Sequence, residues 1–165
     1  MSYFAAALAR TPDGWTAEEV DLDGLSDVDE VADLLRDVDG EAETSLLFVE
    51  EDDEYVAILR LDAGADEPRV FVSDALAAGT YPVAGLFAGA VEDPGSVASV
   101  DEEDDDAPPP ESEPLGDADL LADLGTPRRE LLALVAHERT LPGDVISEVC
   151  ERAGCLDELE MLRGA

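Results

Sequence analysis

The stretch EVDLDGLSDVDE, residues 19–30, holds the residue types a hard cation needs. Set against a 12-residue calcium loop, it places carboxylates at positions 1, 3, 5, 9 and 12, with Gly24 at position 6. Three features oppose that reading. Position 1 is Glu19 where the shorter Asp is needed, position 8 is Ser26 where an aliphatic residue belongs, and the preceding segment has the pattern of a strand. With 43 acids in 165 residues, such matches also arise by chance. Residues 19–30 are therefore read as a strand-to-helix turn capped by Ser26.

The nucleophiles and soft ligands are few. His137 is the only histidine, and it falls at the end of a predicted helix, where an imidazolium suits the dipole. No neighbouring motif supports an acid–base or nucleophilic role for it. Cys150 and Cys155 are the only cysteines. With His137 they would make a poor zinc set, because there is no CxxC and the spacing is wrong. A disulfide across five residues of helix-like sequence would be strained, so two free thiols are expected. Arg128 and Arg129 stand in the first turn of a predicted helix, an unfavourable place for cations, which marks them as contact candidates. Glycine-rich phosphate loops, nucleophile elbows and kinase signatures are absent. No catalytic residue, cofactor site or metal ligand is assigned.

The charge restricts the partners. Nine arginines, no lysine and 43 acids give a net charge of −34. Residues 1–90 carry 22 acids against four arginines, and residues 116–165 carry 11 against five, so both ends of the chain are acidic. Such a surface repels phosphate, which argues against direct binding of nucleic acid or an anionic membrane and for basic proteins or cations. Lys, Asn and Gln are all missing, as strong GC pressure on codons produces, and a salt-loving host is another source of the acidity. No apolar leader opens the chain and no run reaches transmembrane length, so a cytoplasmic protein is expected.

The elements that would carry these residues are legible in outline. Apolar content of 45% allows a core, and 5% aromatics make it a small aliphatic one. SYFAAALAR and WTAEEVDL, joined by TPDG, read as a hairpin. Val28, Val31, Leu34 and Leu35 recur at helical spacing over about 27–39, with Gly40 as the stop. The runs at 46–49, 55–61 and RVFVSD are strands apolar on both faces, short enough in connection for an antiparallel meander. SDALAAGTYPVAGLFAGA is ambiguous: Ser73 or Asp74 offers a cap, while Gly79 and Pro82 interrupt. Residues 92–115, which include DEEDDDAPPPESEP, lack apolar anchors and read as a disordered acidic linker. Four short helices follow in 116–165, with Thr126 as one N-cap and Pro127, Pro142 and Gly154 as boundary residues. The fold class is α+β: an antiparallel sheet with one or two helices in 1–91, the linker, and a small helical unit that docks on the sheet or on a partner.

The ordered pieces in their order, SYFAAALAR, GWTAEEVDLDGLSDVDEVADL, RVFVSDA, GDADLLADLG and LPGDVISEVCERAG, resemble the actinobacterial tRNA adenosine deaminase-associated proteins. The similarity covers nearly all of the chain outside 92–115. It implies a partner, the deaminase that makes inosine in tRNA, and no functional residues. The chain does not resemble the deaminase itself, which needs H-x-E and P-C-x-x-C; here the histidine reads HER and four residues separate the cysteines. The expected function is that of a non-catalytic acidic accessory protein binding a basic partner. The alternatives are an acidic regulator or nucleic-acid mimic acting on another basic protein, and a calcium-binding module.

Overall fold

Strands that are apolar on both sides need cover on both faces of their sheet, and that requirement organises the chain. The computed structural model describes residues 3–22, 24–25, 27–38, 41–51, 54–64, 68–74, 81–88, 114–136 and 141–163. Strands β1 (Tyr3–Thr11) and β2 (Gly14–Glu19) form the hairpin expected around TPDG. Helix α1 (Val28–Val38) then carries the chain across, and β3 (Thr44–Glu51) pairs with the other side of β1. The meander continues through β4 (Tyr55–Asp62) and β5 (Arg69–Val72), followed by α2 (Pro82–Ala88). A two-residue strand β6 (Leu115–Gly116) extends β5, giving the order β2-β1-β3-β4-β5-β6 with every pair antiparallel. A 3-10 turn at Ala122–Leu124 and helices α3 (Arg128–Ala136), α4 (Pro142–Ala153) and α5 (Leu156–Arg163) complete it. This is the expected α+β class.

Each face has its own core. On one, Ala5, Ala7, Leu47, Val49, Ala57 and Leu59 meet Val31, Ala32 and Leu35 of α1 and Ala84 and Phe87 of α2. On the other, Ala6, Leu8, Phe48, Ile58 and Phe71 meet Leu131, Val145, Ile146, Val149 and Leu159. The helices after the acidic tract therefore dock on the sheet, one of the two possibilities the sequence left open. Alanine is a poor strand former, yet Ala5, Ala6, Ala7 and Ala9 are all at most 1% exposed in β1. Helices pack close on both sides of that strand, where larger residues would overfill the space.

Several local expectations change. Ser26 lies outside the described residues, and the neighbouring Asp27 does the capping: Glu30 N–H donates to Asp27 Oδ1 at 3.0 Å. Pro82 starts α2 instead of interrupting it, as suits a residue without an N–H at the first helical position. Ser73 serves the sheet, its Oγ accepting from Val56 N–H at 2.9 Å. The first C-terminal helix is a turn closing in 3-10 geometry, with Gly125 left-handed behind it. Thr126 does not cap α3 through its side chain, since Oγ1 is buried without a hydrogen-bond partner among the described residues. Leu115, assigned to the linker, pairs with Val72; the rest of the 92–113 tract lies outside the described residues.

Candidate functional site

Two buried polar links hold the layers together beneath a carboxylate-rich exterior. The larger one centres on Arg60, the charged residue of the otherwise apolar run YVAILRL, whose side chain is 6% exposed. It projects on the same sheet face as Ile58, toward the C-terminal layer. Its guanidinium donates to Leu120 O at 2.6 Å, to Asp62 Oδ1 at 2.9 Å, and in a two-pronged contact to both Asp123 oxygens, the Oδ2 contact at 2.8 Å. Thr44 Oγ1 donates to the same Asp62 oxygen, and Arg69 lies between Asp62 and Asp117. The fork matches the carboxylate plane, which makes this the strongest type of ion pair. The Asp123 hydrogen bond raises the affinity of Arg60 for its proton, against the opposing effect of burial and with help from Asp62. In return, the Arg60 hydrogen bond holds Asp123 below the usual carboxylate range, again against burial. Arg60 is thus a permanent cation tying β4 to the segment before α3.

The second link lies on the opposite face. Tyr55 is fully buried, and its hydroxyl donates to Glu51 Oε1 at 2.8 Å. The rings of Tyr55 and Tyr81 stack tilted at 5.3 Å, joining β4 to the start of α2. Burial, then the Glu51 hydrogen bond and charge, push the Tyr55 phenol well above its ordinary range. Tyr55 is therefore a fixed donor and an unsuitable base. Tyr3 makes a third, more exposed tie: its hydroxyl donates to Asp21 Oδ1 at 3.0 Å and accepts Leu22 N–H at 2.7 Å. That pins the 19–30 segment to β1 as a strand-to-helix turn, with Glu19 ending β2 and Val28 opening α1.

The remaining sequence candidates scatter. Cys150 and Cys155 form no disulfide and are buried in the second core. His137 lies outside the described residues. Arg128 pairs with Asp119 at 3.3 Å, so its first-turn charge is answered within the chain, while Arg129 stays exposed. Among the described residues no three ligating side chains gather around a point that could hold a metal ion, and no helix is long and apolar enough to cross a membrane. Sequence reasoning passed over Arg60, Glu51 and Tyr55. The available signal was a lone arginine inside an apolar strand, since a buried charge requires a partner.

Outside these links acids outnumber bases on the described surface. Arg36, Arg60, Arg69, Arg128 and Arg152 are all ion-paired within the chain. Exposed acids remain on α1 (Asp29, Glu30, Asp37), on β2 (Glu18, Glu19) and on α5 (Asp157, Glu160). These arginines are each matched by an acid, and with 43 acids against nine arginines the exterior field is negative.

These links brace a two-faced α+β sheet whose described exterior is rich in carboxylates. The chain belongs to the family of Rv3753c-like tRNA adenosine deaminase-associated proteins, whose model matches residues 3–156. No curated protein and no solved structure matches it.

Proposed function

We propose that this chain is a non-catalytic accessory protein that binds the tRNA adenosine deaminase in the cytoplasm and acts in tRNA modification. The observation that carries this reading is the family's association with that deaminase. Charge supplies a physical route. A protein face that accepts tRNA is positive, and a chain of net charge −34 is steered toward such a face while tRNA itself repels it.

The test is titration of the purified deaminase from the same organism with the full chain at rising salt. A complex should form at roughly 0.1 M salt and weaken at least about tenfold by roughly 0.5 M, as screened long-range attraction requires. Competition with tRNA would mark a nucleic-acid mimic, and a ternary complex would mark a recruiter. Absence of any complex at low salt would remove the reading.

The acidic tract is assigned the role of a tether. Both flanking segments are already polyanionic, and the tract's only large apolar residues are Val97 and Val100. Replacing residues 92–113 by an uncharged Gly/Ser linker of equal length should leave the dissociation constant within about twofold at physiological salt, where exposed charges beyond roughly 8 Å are screened. A tenfold loss would make the tract a binding element instead.

A further inference from the structure

The outer edge of the sheet is built to accept a strand. Val20 N–H donates to Ala5 O at 3.0 Å, so Val20 faces β1 with its hydrogen-bonding groups. The register from Ala6↔Glu19 to Thr11↔Gly14 runs without a break. Antiparallel residues alternate between bonded and non-bonded pairs, so Glu18 and Thr16 also bond inward to Ala7 and Ala9. Trp15, Ala17 and Glu19 then present their N–H and C=O groups outward. No described residue bonds to those outward groups. β2 has no proline, and Gly14, Thr16, Glu18 and Glu19 are exposed.

Charge specifies what fits there. Natural edge strands are guarded by charge, proline or bulges, and here the guards are acids only. Glu18 projects on the α1 face and Glu19 on the α5 face, with Asp13 before the strand and Asp21 after it. α5, with Asp157 and Glu160 exposed, packs against β2 from below. A second copy brings another −34 and is repelled. A strand with lysine or arginine opposite Glu18 and Glu19 gains cross-strand pairs on both faces. We propose that the outer edge of β2 is the docking rail for an extended basic segment of the partner protein, which adds a strand to this sheet. This rests on the accessory reading and names the surface it uses.

The register supplies a selective variant. Ala17→Pro removes one outward donor and no bond to β1, a position where sheets tolerate proline. Thr16→Pro removes an inward donor and serves as the control that should melt the hairpin. With the purified deaminase as probe, Ala17→Pro should bind at least about tenfold more weakly while its melting temperature stays within a few degrees of wild type. Hydrogen exchange on the wild-type complex should show the amides of Trp15, Ala17 and Glu19 slowed relative to the free chain. The charge-reversed Glu18→Lys/Glu19→Lys variant, which touches no core residue, should lose affinity similarly. A wild-type complex that Ala17→Pro matches, with those three amides still exchanging freely, overturns the edge proposal and leaves the accessory reading standing. Should Ala17→Pro misfold, amide protection and the charge-reversed pair decide the matter by themselves. A wild-type chain that fails to bind the deaminase sinks the accessory reading and the edge proposal together.

Discussion

Replacing Gly116 with alanine is expected to destabilise the chain by about 3 kcal/mol, through a backbone collision that no side-chain rotation relieves. Gly116 sits in β6 at φ +96°, and a Cβ there would lie 2.0 Å from the carbonyl oxygen of Val70 and 3.1 Å from the Cα of Phe71. The left-handed backbone alone costs an L-residue roughly 1–2 kcal/mol. Moving β6 away from β5 then sacrifices its pairing with Phe71 and the Asp117 N–H bond to Val70 O, at about 1 kcal/mol for each bond. Gly64→Ala is the matched control, because Gly64 has φ +82° but nothing within 4 Å of its added Cβ. It should show the conformational cost alone, about 1 kcal/mol. Urea unfolding of both variants separates the two contributions. Equal losses would mean that β6 yields easily and does not anchor the C-terminal layer.

Removing the Arg60 guanidinium is the second large effect. Arg60→Ala should cost about 2–3 kcal/mol and lower the melting temperature by roughly 10 °C. The loss falls short of that for a fully buried pair, because Asp123 is 62% exposed and stays solvated once released. What is lost is the packing of a long buried side chain and the donor to Leu120 O. Arg60→Met should therefore recover part of the loss by refilling the volume. The pair also has a pH signature. Asp123 is held below its unfolded value of about 3.9, so its contribution is complete above that value and fades as pH falls through the lowered one. Asp123→Asn should be less stable than wild type near neutrality and converge on it in acid. A difference that stays constant down to acid pH would show that the fork contributes no charge-dependent stability.

Within the sheet, periodicity alone sufficed for the strands. The run at 46–49 is apolar at every position and the run at 55–61 at every position but Arg60, and a strand alternates its side chains, so both faces had to be covered whatever covered them. The hairpin at TPDG and the boundaries at Pro142 and Gly154 follow from dihedral preferences that act within a few residues. The same locality explains the errors. Thr126 has the residue type of a cap, but its hydroxyl is buried with no hydrogen-bond partner among the described residues. Pro82 has the type of a breaker, yet it opens α2, where its missing N–H costs no helical bond.

The candidate surface divides along the same line. Net charge is additive over residues, so the polyanion was determined by the sequence itself. The side chains that brace it were not, because Arg60 meets Asp123 at a separation of 63 positions and Tyr55 meets Tyr81 only when α2 folds over β4. Which edge of the sheet stays open was decided last, by the tertiary structure alone. β2 is the more polar strand and β3 the more apolar, but it is the crossover through α1 that places β3 inside against β1 and leaves β2 with one bonded side. A hydrogen-bonding edge is a property of strand order, and strand order depends on contacts far apart in the chain.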